Sequence, residues 1–410
     1  MIPEFIANQG RELPLILLLV ALLGFRLRVT PRVSLLVKAT PERIFTLLDF
    51  NEGEEQRWQR TKVTTRLVDA ASRTFRLHFA TPLATGAVQS TTADFRLAER
   101  QPPNLLDIVR ADLAGKSEIN QLLRMRYEFV AEGNATRLTL TYWWGPRALL
   151  AQLLARADLW GSAYRIKGLA ETGTPDFGAD ARISAIMAAV TGIMTLAAFA
   201  YAFGSALAFL LVVALFIHEF GHLLAYRIIG QPWGRMVFLP FIGAVAVPRI
   251  GFTSQAQLVF SALMGPGFSV IAALLAALLA TAFDPPLELA VAFGLVVVAL
   301  NLFNLLPLEP LDGGVALRCI MERVAGRLAR PGIIAVAVLT MMAGWHFEQL
   351  LLLVFGALAA FVNLGSRPQV ARLLSLSRIE VVISAFAFMA IVGAHVTLLR
   401  LFFASLPSLQ

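Results

Sequence analysis

From about residue 183 to the C-terminal end the chain is a succession of apolar runs, at about 183–203, 206–228, 257–283, 287–307, 332–345, 347–363 and 379–404. About 20 apolar residues in a helix cross the roughly 30 Å hydrocarbon core of a bilayer, and a helix is the single-segment structure that satisfies its own backbone there. This one feature excludes most folds. The composition agrees: 57% of residues are hydrophobic, 15% are charged and the mean hydropathy is +0.70. The net charge of +8 is mostly arginine. Its arginines sit in short loops between apolar runs, so the excess reports topology rather than nucleic-acid binding. Cys319 is the single cysteine. An intrachain disulfide and a cysteine-rich zinc site are both excluded.

Residues 27–172 read differently, with frequent charge and alternating apolar residues. "RVSLLVKAT" reads as a strand, followed by a helix in "TPERIFTLL" with Thr40 as N-cap and Pro41 at the first helical position. "TKVTTRLV", "RTFRLHFA" and "VQSTTADFRLAE" read as half-buried strands, with hairpin turns at "DAAS" and "EGNAT". "MRYEFVAEGNATRLTLTYWW" is the strongest hairpin, and an amphipathic helix is expected over about 149–169, with Leu149, Leu153, Leu154 and Leu159 on one side. This order describes a helix-grip arrangement. On "VKATPERIFTLLDF" and "YEFVAEGNATRLTLTYWW" the region resembles the START-like, polyketide-cyclase-like superfamily. That resemblance implies an apolar cavity and a lipid-like ligand; a closed domain with an ordinary core is the alternative.

The run Leu13–Phe25 lacks a small-residue cleavage site and reads as a short uncleaved anchor, or as an interfacial segment. "TGTPDFGAD" reads as a linker. The expected organisation is an anchor at 1–26, a helix-grip domain at 27–172, a linker at 173–182 and a transmembrane domain at 183–410. The fold class is thus a polytopic α-helical membrane protein of seven to eight spans with an N-terminal α+β domain. Trp233–Phe252, apolar but broken by Pro240, Gly243 and Pro248, reads as a re-entrant or surface hairpin. Arg182, Arg227, Arg235, Arg249, Arg318, Arg323, Arg327, Arg330, Arg367, Arg372 and Arg378 all fall on one side of the spans. The loops on the other side, around Gly204, at 284–286 and at 346–349, have no Lys or Arg. This places the helix-grip domain in the cytoplasm, with a bacterial plasma membrane as the expected location.

Inside the second apolar run stands "HEFGH". His218 and His222, four apart on a helix, share one face, and Glu219 neighbours the first. A charged residue near the centre of a span costs about 2.5–3.5 kcal/mol on insertion scales, so three polar groups there need a reason. Two imidazoles so placed can bind one Zn²⁺, which acidifies a water whose proton the carboxylate takes. The bland alternative is hydrogen bonding to neighbouring helices. A third ligand is needed. His346 and Glu348 lie in an outer loop, His78 in the soluble region, and His395 in the last span with a structural role favoured. The remaining candidate is Asp312 in "NLFNLLPLEPLDGG", where Pro307, Pro310 and a Gly pair break the helix.

"HEFGH" in one span and "NLLPLEPLDGG" in a later one resemble the site-2 protease family of intramembrane metalloproteases, over about 183–365. The resemblance implies that His218, His222 and Asp312 hold one zinc per chain, that Glu219 is the general base, and that Asn304 acts near the substrate or the developing oxyanion. "MGPGFSV" matches the family's Gly-Pro span, with Ser269 where members often carry Asn. Glu309 stands where members have an apolar or small residue, and solvation at the cavity mouth is the reading favoured for it. "GRMVFLPFIGAVAVPR" resembles the hairpin that pairs with an unwound substrate segment; simple packing of a Pro/Gly-broken loop is its alternative.

The expected function is a zinc-dependent intramembrane endopeptidase. Its expected partners are the lipid bilayer and a membrane protein substrate, with membrane-anchored transcriptional regulators as the class the resemblance implies. The helix-grip domain is expected to serve recognition or regulation. A non-catalytic receptor binding a lipid-like ligand is the main alternative, disfavoured by the intact Glu219. A metal transporter ranks last, because the outer halves of the spans are apolar.

Overall fold

The computed structural model describes residues 26–82, 88–113, 118, 121–240, 243–282, 287–349, 352–353, 356–357, 359–361 and 373–405. The expected anchor at 13–25, the loop at 284–286, and Arg367 and Arg372 lie outside the described residues. The chain divides into two compact units, with the division between Ile186 and Met187.

The first unit contains β1 (Arg26–Leu27), β2 (Arg32–Val37), α1 (Pro41–Leu48), β3 (Lys62–Asp69), β4 (Thr74–Pro82), β5 (Val88–Gln101), β6 (Leu105–Arg110), β7 (Leu122–Glu132), β8 (Ala135–Trp144), β9 (Arg147–Ala148) and α2 (Leu149–Thr172). Seven strands form one antiparallel sheet in the order β2-β8-β7-β6-β5-β4-β3, while β1 pairs with β9. Strands β3 to β8 follow each other as a meander. β2 closes the far edge against β8, from Arg32↔Thr141 to Val37↔Thr136. Thr40 caps α1, its hydroxyl accepting from the Arg43 amide.

Alternation builds the core. On β7, Met125, Tyr127 and Phe129 point inward and Arg124, Arg126 and Glu128 outward. The inward set packs with Ile44, Phe45 and Leu48 of α1 and Leu159, Ala163 and Ile166 of α2. β6, "LLDIVR", has no counterpart in the sequence reading, and the reason is physical. Leu105, Leu106, Asp107 and Ile108 are all buried. The outward Asp107 is covered by Arg124 and Arg126 from β7, so the strand lacks the period of two by which strands are recognised.

The linker is shorter than expected. α3 (Gly178–Phe203) begins inside the stretch read as linker. Asp176 accepts from the Ala179 amide at its start, and Asp180 is buried against Arg165 (2.7 Å) and Arg60. These acids serve a helix N-terminus, where negative charge is favoured, rather than a solvated loop.

The second unit continues with α4 (Ser205–Ile228), β10 (Arg235–Leu239), β11 (Gly243–Val247), α5 (Gln255–Thr281), α6 (Glu288–Asn304), α7 (Asp312–Ala325), a 3₁₀ turn at Gly326–Leu328, α8 (Ala329–His346) and α9 (Arg378–Ala404). Gly204, at φ +84°, supplies the left-handed residue that turns α3 into α4. Among the described residues five helices are long and apolar enough to cross a membrane: α3, α4, α5, the α7–α8 stretch Asp312–His346, and α9. α6, at 17 residues, is apolar but shorter. The chain is an integral membrane protein; the expectation of seven to eight spans compares with these five and the shorter α6. Of the expected span 347–363 only scattered residues are described.

Ile193, Phe209, Leu278, Ile383 and Phe386 are all more than half exposed, a surface that water would penalise and acyl chains would not. The broken segment after α4 is a β-hairpin, paired from Arg235↔Val247 to Leu239↔Gly243. α7 departs from the loop read there. Its Arg318 is buried, not a solvated loop arginine.

Candidate metal centre

α4 turns one face inward, burying His218, Glu219 and His222 together with Ala214, Leu215, Gly221, Ala225 and Tyr226, while Phe216 stays exposed. The two imidazoles are one turn apart, with their Nε2 atoms at 3.2 Å. Asp312, the first residue of α7, brings its Oδ2 to 3.1 Å from His218 Nε2 and 3.3 Å from His222 Nε2. A carboxylate oxygen of Glu219 lies within 4.8 Å of both imidazole nitrogens.

The outer ring nitrogens fix what the inner ones can do. His222 Nδ1 lies 2.7 Å from the Ser261 carbonyl, which can only accept, so Nδ1 carries the hydrogen. His218 Nδ1 lies 2.8 Å from Asn301 Oδ1. Asn301 is oriented in turn by its Nδ2, which donates to the Val297 carbonyl at 2.7 Å. In their neutral form both imidazoles therefore present a bare lone pair at Nε2, aimed at an oxygen that is also an acceptor. Asp312 Oδ2 and Glu219 Oε2 are buried without a hydrogen-bond partner. Three converging acceptors repel each other unless something positive lies between them. A proton could bridge one pair at a time; one cation at the centre satisfies all three. A tetrahedral zinc with arms of about 2.0–2.1 Å sets its ligand atoms about 3.3 Å apart. The observed edges of 3.1, 3.2 and 3.3 Å fit that ion, with two imidazoles and one carboxylate as donors.

Close backbone approach makes the convergence geometrically available. A methyl on Gly221 would lie 2.3 Å from the Met264 carbonyl oxygen, and one on Gly265 2.5 Å from His222 Nε2. α4 and α5 thus cross at two glycines, and the histidines occupy the space a side chain at 265 would fill. Gly313 and Gly314 do the same for Asp312. A methyl on either would lie 2.2 Å from the backbone of Leu305 or Leu308, because the turn before α7 folds back over its first residues.

The other sequence candidates are placed elsewhere. Asn304 donates to the Leu300 carbonyl on its own helix at 3.1 Å and makes no bond to the cluster. Asn301, one turn earlier, is the residue that does. The two differ by three positions, and only packing distinguishes the buried one. Ser269 donates to the Gly265 carbonyl. His395 is fully buried and bonds the Pro266 carbonyl at 3.1 Å, in keeping with a structural role. His346 and Glu348 are exposed beyond the cluster, and His78 is on β4 in the first unit. Glu309 corrects the reading of a solvated side chain: it is buried, 2.6 Å from Arg318. Asn301, Tyr226 and the Ser261 carbonyl had no assigned role in the sequence. The signal for Asn301 was an amide inside an otherwise apolar helix.

The hairpin lies against α4. Tyr226 Oη donates to the Ala246 carbonyl on β11 at 3.1 Å. The other edge is taken by α3, where Thr191 Oγ1 accepts from the Phe238 amide on β10.

The fold and this cluster define a class, an integral membrane protein with a buried His–His–Asp constellation beside a glutamate. Comparison with known proteins adds a family. Residues 280–345 match the model of Peptidase family M50, the family of the site-2 proteases. The matched stretch holds Asn301, the broken turn and Asp312, though not "HEFGH". No curated protein matches the chain. Among solved structures, the Site-2 Protease from Methanocaldococcus jannaschii is similar at 22% identity over 46% of this chain and 91% of that one, with a TM-score of 0.33. The first unit has similar structures in the Aha1 dimer from Colwellia psychrerythraea (15% identity, 35% of this chain, 98% of that one, TM-score 0.27) and the Polyketide_cyc-like protein Cgl2372 from Corynebacterium glutamicum (14%, 41%, 85%, 0.21).

Proposed function

We propose that the protein is a zinc-dependent intramembrane endopeptidase of the site-2 protease kind, cutting membrane-embedded or membrane-proximal segments of other membrane proteins. The observation that carries this reading is the triangle of lone pairs at 3.1–3.3 Å on His218, His222 and Asp312, with Glu219 Oε2 buried and unpartnered beside it. The family match over 280–345 supports the same chemistry.

His218, His222 and Asp312 would hold the zinc. Zinc bound there supplies the Lewis acidity that makes water a nucleophile near neutral pH and polarises a peptide carbonyl. Glu219 takes the proton of the attacking water and delivers it to the departing amine nitrogen, one group serving as base and then acid. Asn301 and the Ser261 carbonyl hold both rings in the tautomer that leaves Nε2 free.

A helical peptide bond is shielded by its own hydrogen bonds, so the substrate must be extended when cut. β11 suits that task. In an antiparallel pair, residues whose backbone groups turn outward alternate with those that bond the partner strand. Phe238 turns outward toward Thr191, so Ala244 opposite it turns its N–H and C=O outward on the β11 edge. An extended segment pairing there would run beside Ala246 and Glu219. We assign the first unit a recognition role; deleting residues 27–172 should then impair cleavage of a native substrate.

The decisive experiment is Glu219→Gln. Purified variant and wild type should hold zinc equally, about one per chain, while the variant fails to cut a transmembrane substrate in proteoliposomes. Cleavage by the variant at the wild-type rate would refute the assignment.

A further inference from the structure

A second polar cluster lies on α7, less than two turns beyond Asp312, and the chemistry above does not use it. Arg318 Nη1 donates to Glu309 Oε2 at 2.6 Å, and its Nε donates to Glu322 Oε1 at 2.9 Å. Glu322 Oε2 accepts from Gln255 Nε2 at 2.9 Å, and Gln255 Oε1 accepts from the Leu376 amide at 3.2 Å. The Arg318 and Glu309 side chains are each only 8% exposed. Four segments are tied together: the turn before Asp312, α7, the first residue of α5, and the stretch leading into α9.

A buried ion pair is a poor source of stability, because desolvation cancels most of the attraction. Its strength is directional: the planar guanidinium fork fixes the groups it binds. What it fixes here is the turn over residues 305–311. That turn begins where α6, bearing Asn301, ends, and it delivers Asp312. It is closed by the Leu311 amide donating to the Leu308 carbonyl, and it rests on the two glycines that follow Asp312. The Glu309 end lies three residues before the carboxylate, and the Arg318 end six residues after it. A shift of about 1 Å between them is enough to spoil a constellation of this kind.

We propose that Glu309 and Arg318 are a positioning pair that holds Asp312 in register with His218 and His222; this rests on the zinc-site reading above. Each acts through the backbone on either side of Asp312.

The test uses the full-length protein in detergent, with zinc affinity measured by chelator competition and the visible spectrum recorded after Co²⁺ substitution. Glu309→Leu and Arg318→Met should each weaken zinc binding at least about tenfold and shift the cobalt bands. The double variant should bind no more weakly than the weaker single, because both remove one pair. Single variants that bind zinc within twofold of wild type with unchanged spectra would overturn the proposal, as would losses that multiply in the double. If melting of the chelator-treated protein shows Glu309→Leu unfolded, Glu309→Gln decides. It should lose about three- to tenfold, and wild-type affinity would overturn the pair's role. A wild type that binds no stoichiometric zinc would instead bring down the metal site itself, a different outcome from wild-type binding with indifferent variants.

Discussion

Asp107 and Asp312 are both carboxylates held against the interior, one in each unit, and they are satisfied in opposite ways. Asp107 is fully buried on β6, with Arg124 gripping both its oxygens and Arg126 3.6 Å away. Asp312 directs Oδ2 at two imidazole nitrogens that are themselves acceptors. The first carboxylate is neutralised by the fold and so serves the fold. The second is left with a charge that only something outside the chain can complete. A buried polar group with every partner in place is weak evidence of function; one aimed at groups of its own kind is strong evidence.

The contrast can be broken or sharpened by substitution. Glu219→Gln carries the largest expected effect: a loss of at least about 10²–10⁴-fold in cleavage rate with zinc retained, read by turnover in proteoliposomes and metal analysis. Asp312→Ala should lose the zinc as well. Next comes Gly265→Ala, whose methyl would occupy the place of the His222 ring. It should abolish stoichiometric zinc and cost about 1–3 kcal/mol by overpacking, seen as a lower melting temperature even with chelator present.

Asn301→Leu should weaken zinc binding about 10–100-fold while leaving the fold intact, and Asn301→Asp, which keeps an acceptor at His218 Nδ1, should recover most of it. In the other unit, Asp107→Asn should cost about 1–3 kcal/mol of stability and leave zinc affinity untouched. The value belongs at the low end, because Arg124 and Arg126 are 39% and 32% exposed and can recover water. A change in zinc affinity there would dissolve the distinction between the two carboxylates.

The smallest effect is in acid. The hydrogen bond from Arg76 holds the Asp94 carboxyl below its ordinary value of 3.8. The folded state therefore favours the charged form. That contribution is full above the unfolded value and is lost as pH falls through the lowered one. Urea melts of the Asp94→Asn variant should show a slightly flatter stability profile below about pH 4 than wild type.

Much of the first unit was legible because its strands alternate. The Thr40 cap, the β7–β8 hairpin and the long helix follow from local pattern. β6 was not, because the arginines that bury its outward Asp107 come from another strand. In the second unit the apolar runs announced the helices, but the polar N-terminal turns of α3 and all of α7 read as linker and loop. Asp180 and Arg318 look solvated in sequence, and they are buried by partners 15 and 9 residues away. Asn301 and Asn304 lie three residues apart on one apolar helix, so local pattern does not tell which of them packs against His218.

The sequence by itself determined that this chain lives in a membrane and that two imidazoles and a glutamate share one helical face, because hydropathy and the 3.6-residue turn are local properties. Tertiary structure brought Asp312, the candidate the sequence had left, onto them, and alone decided which groups set their tautomers. Those partners come from α5 and α6, 39 and 83 residues away from the histidines they orient. They arrive only because Gly221, Gly265, Gly313 and Gly314 let backbones approach where any side chain would hold them apart.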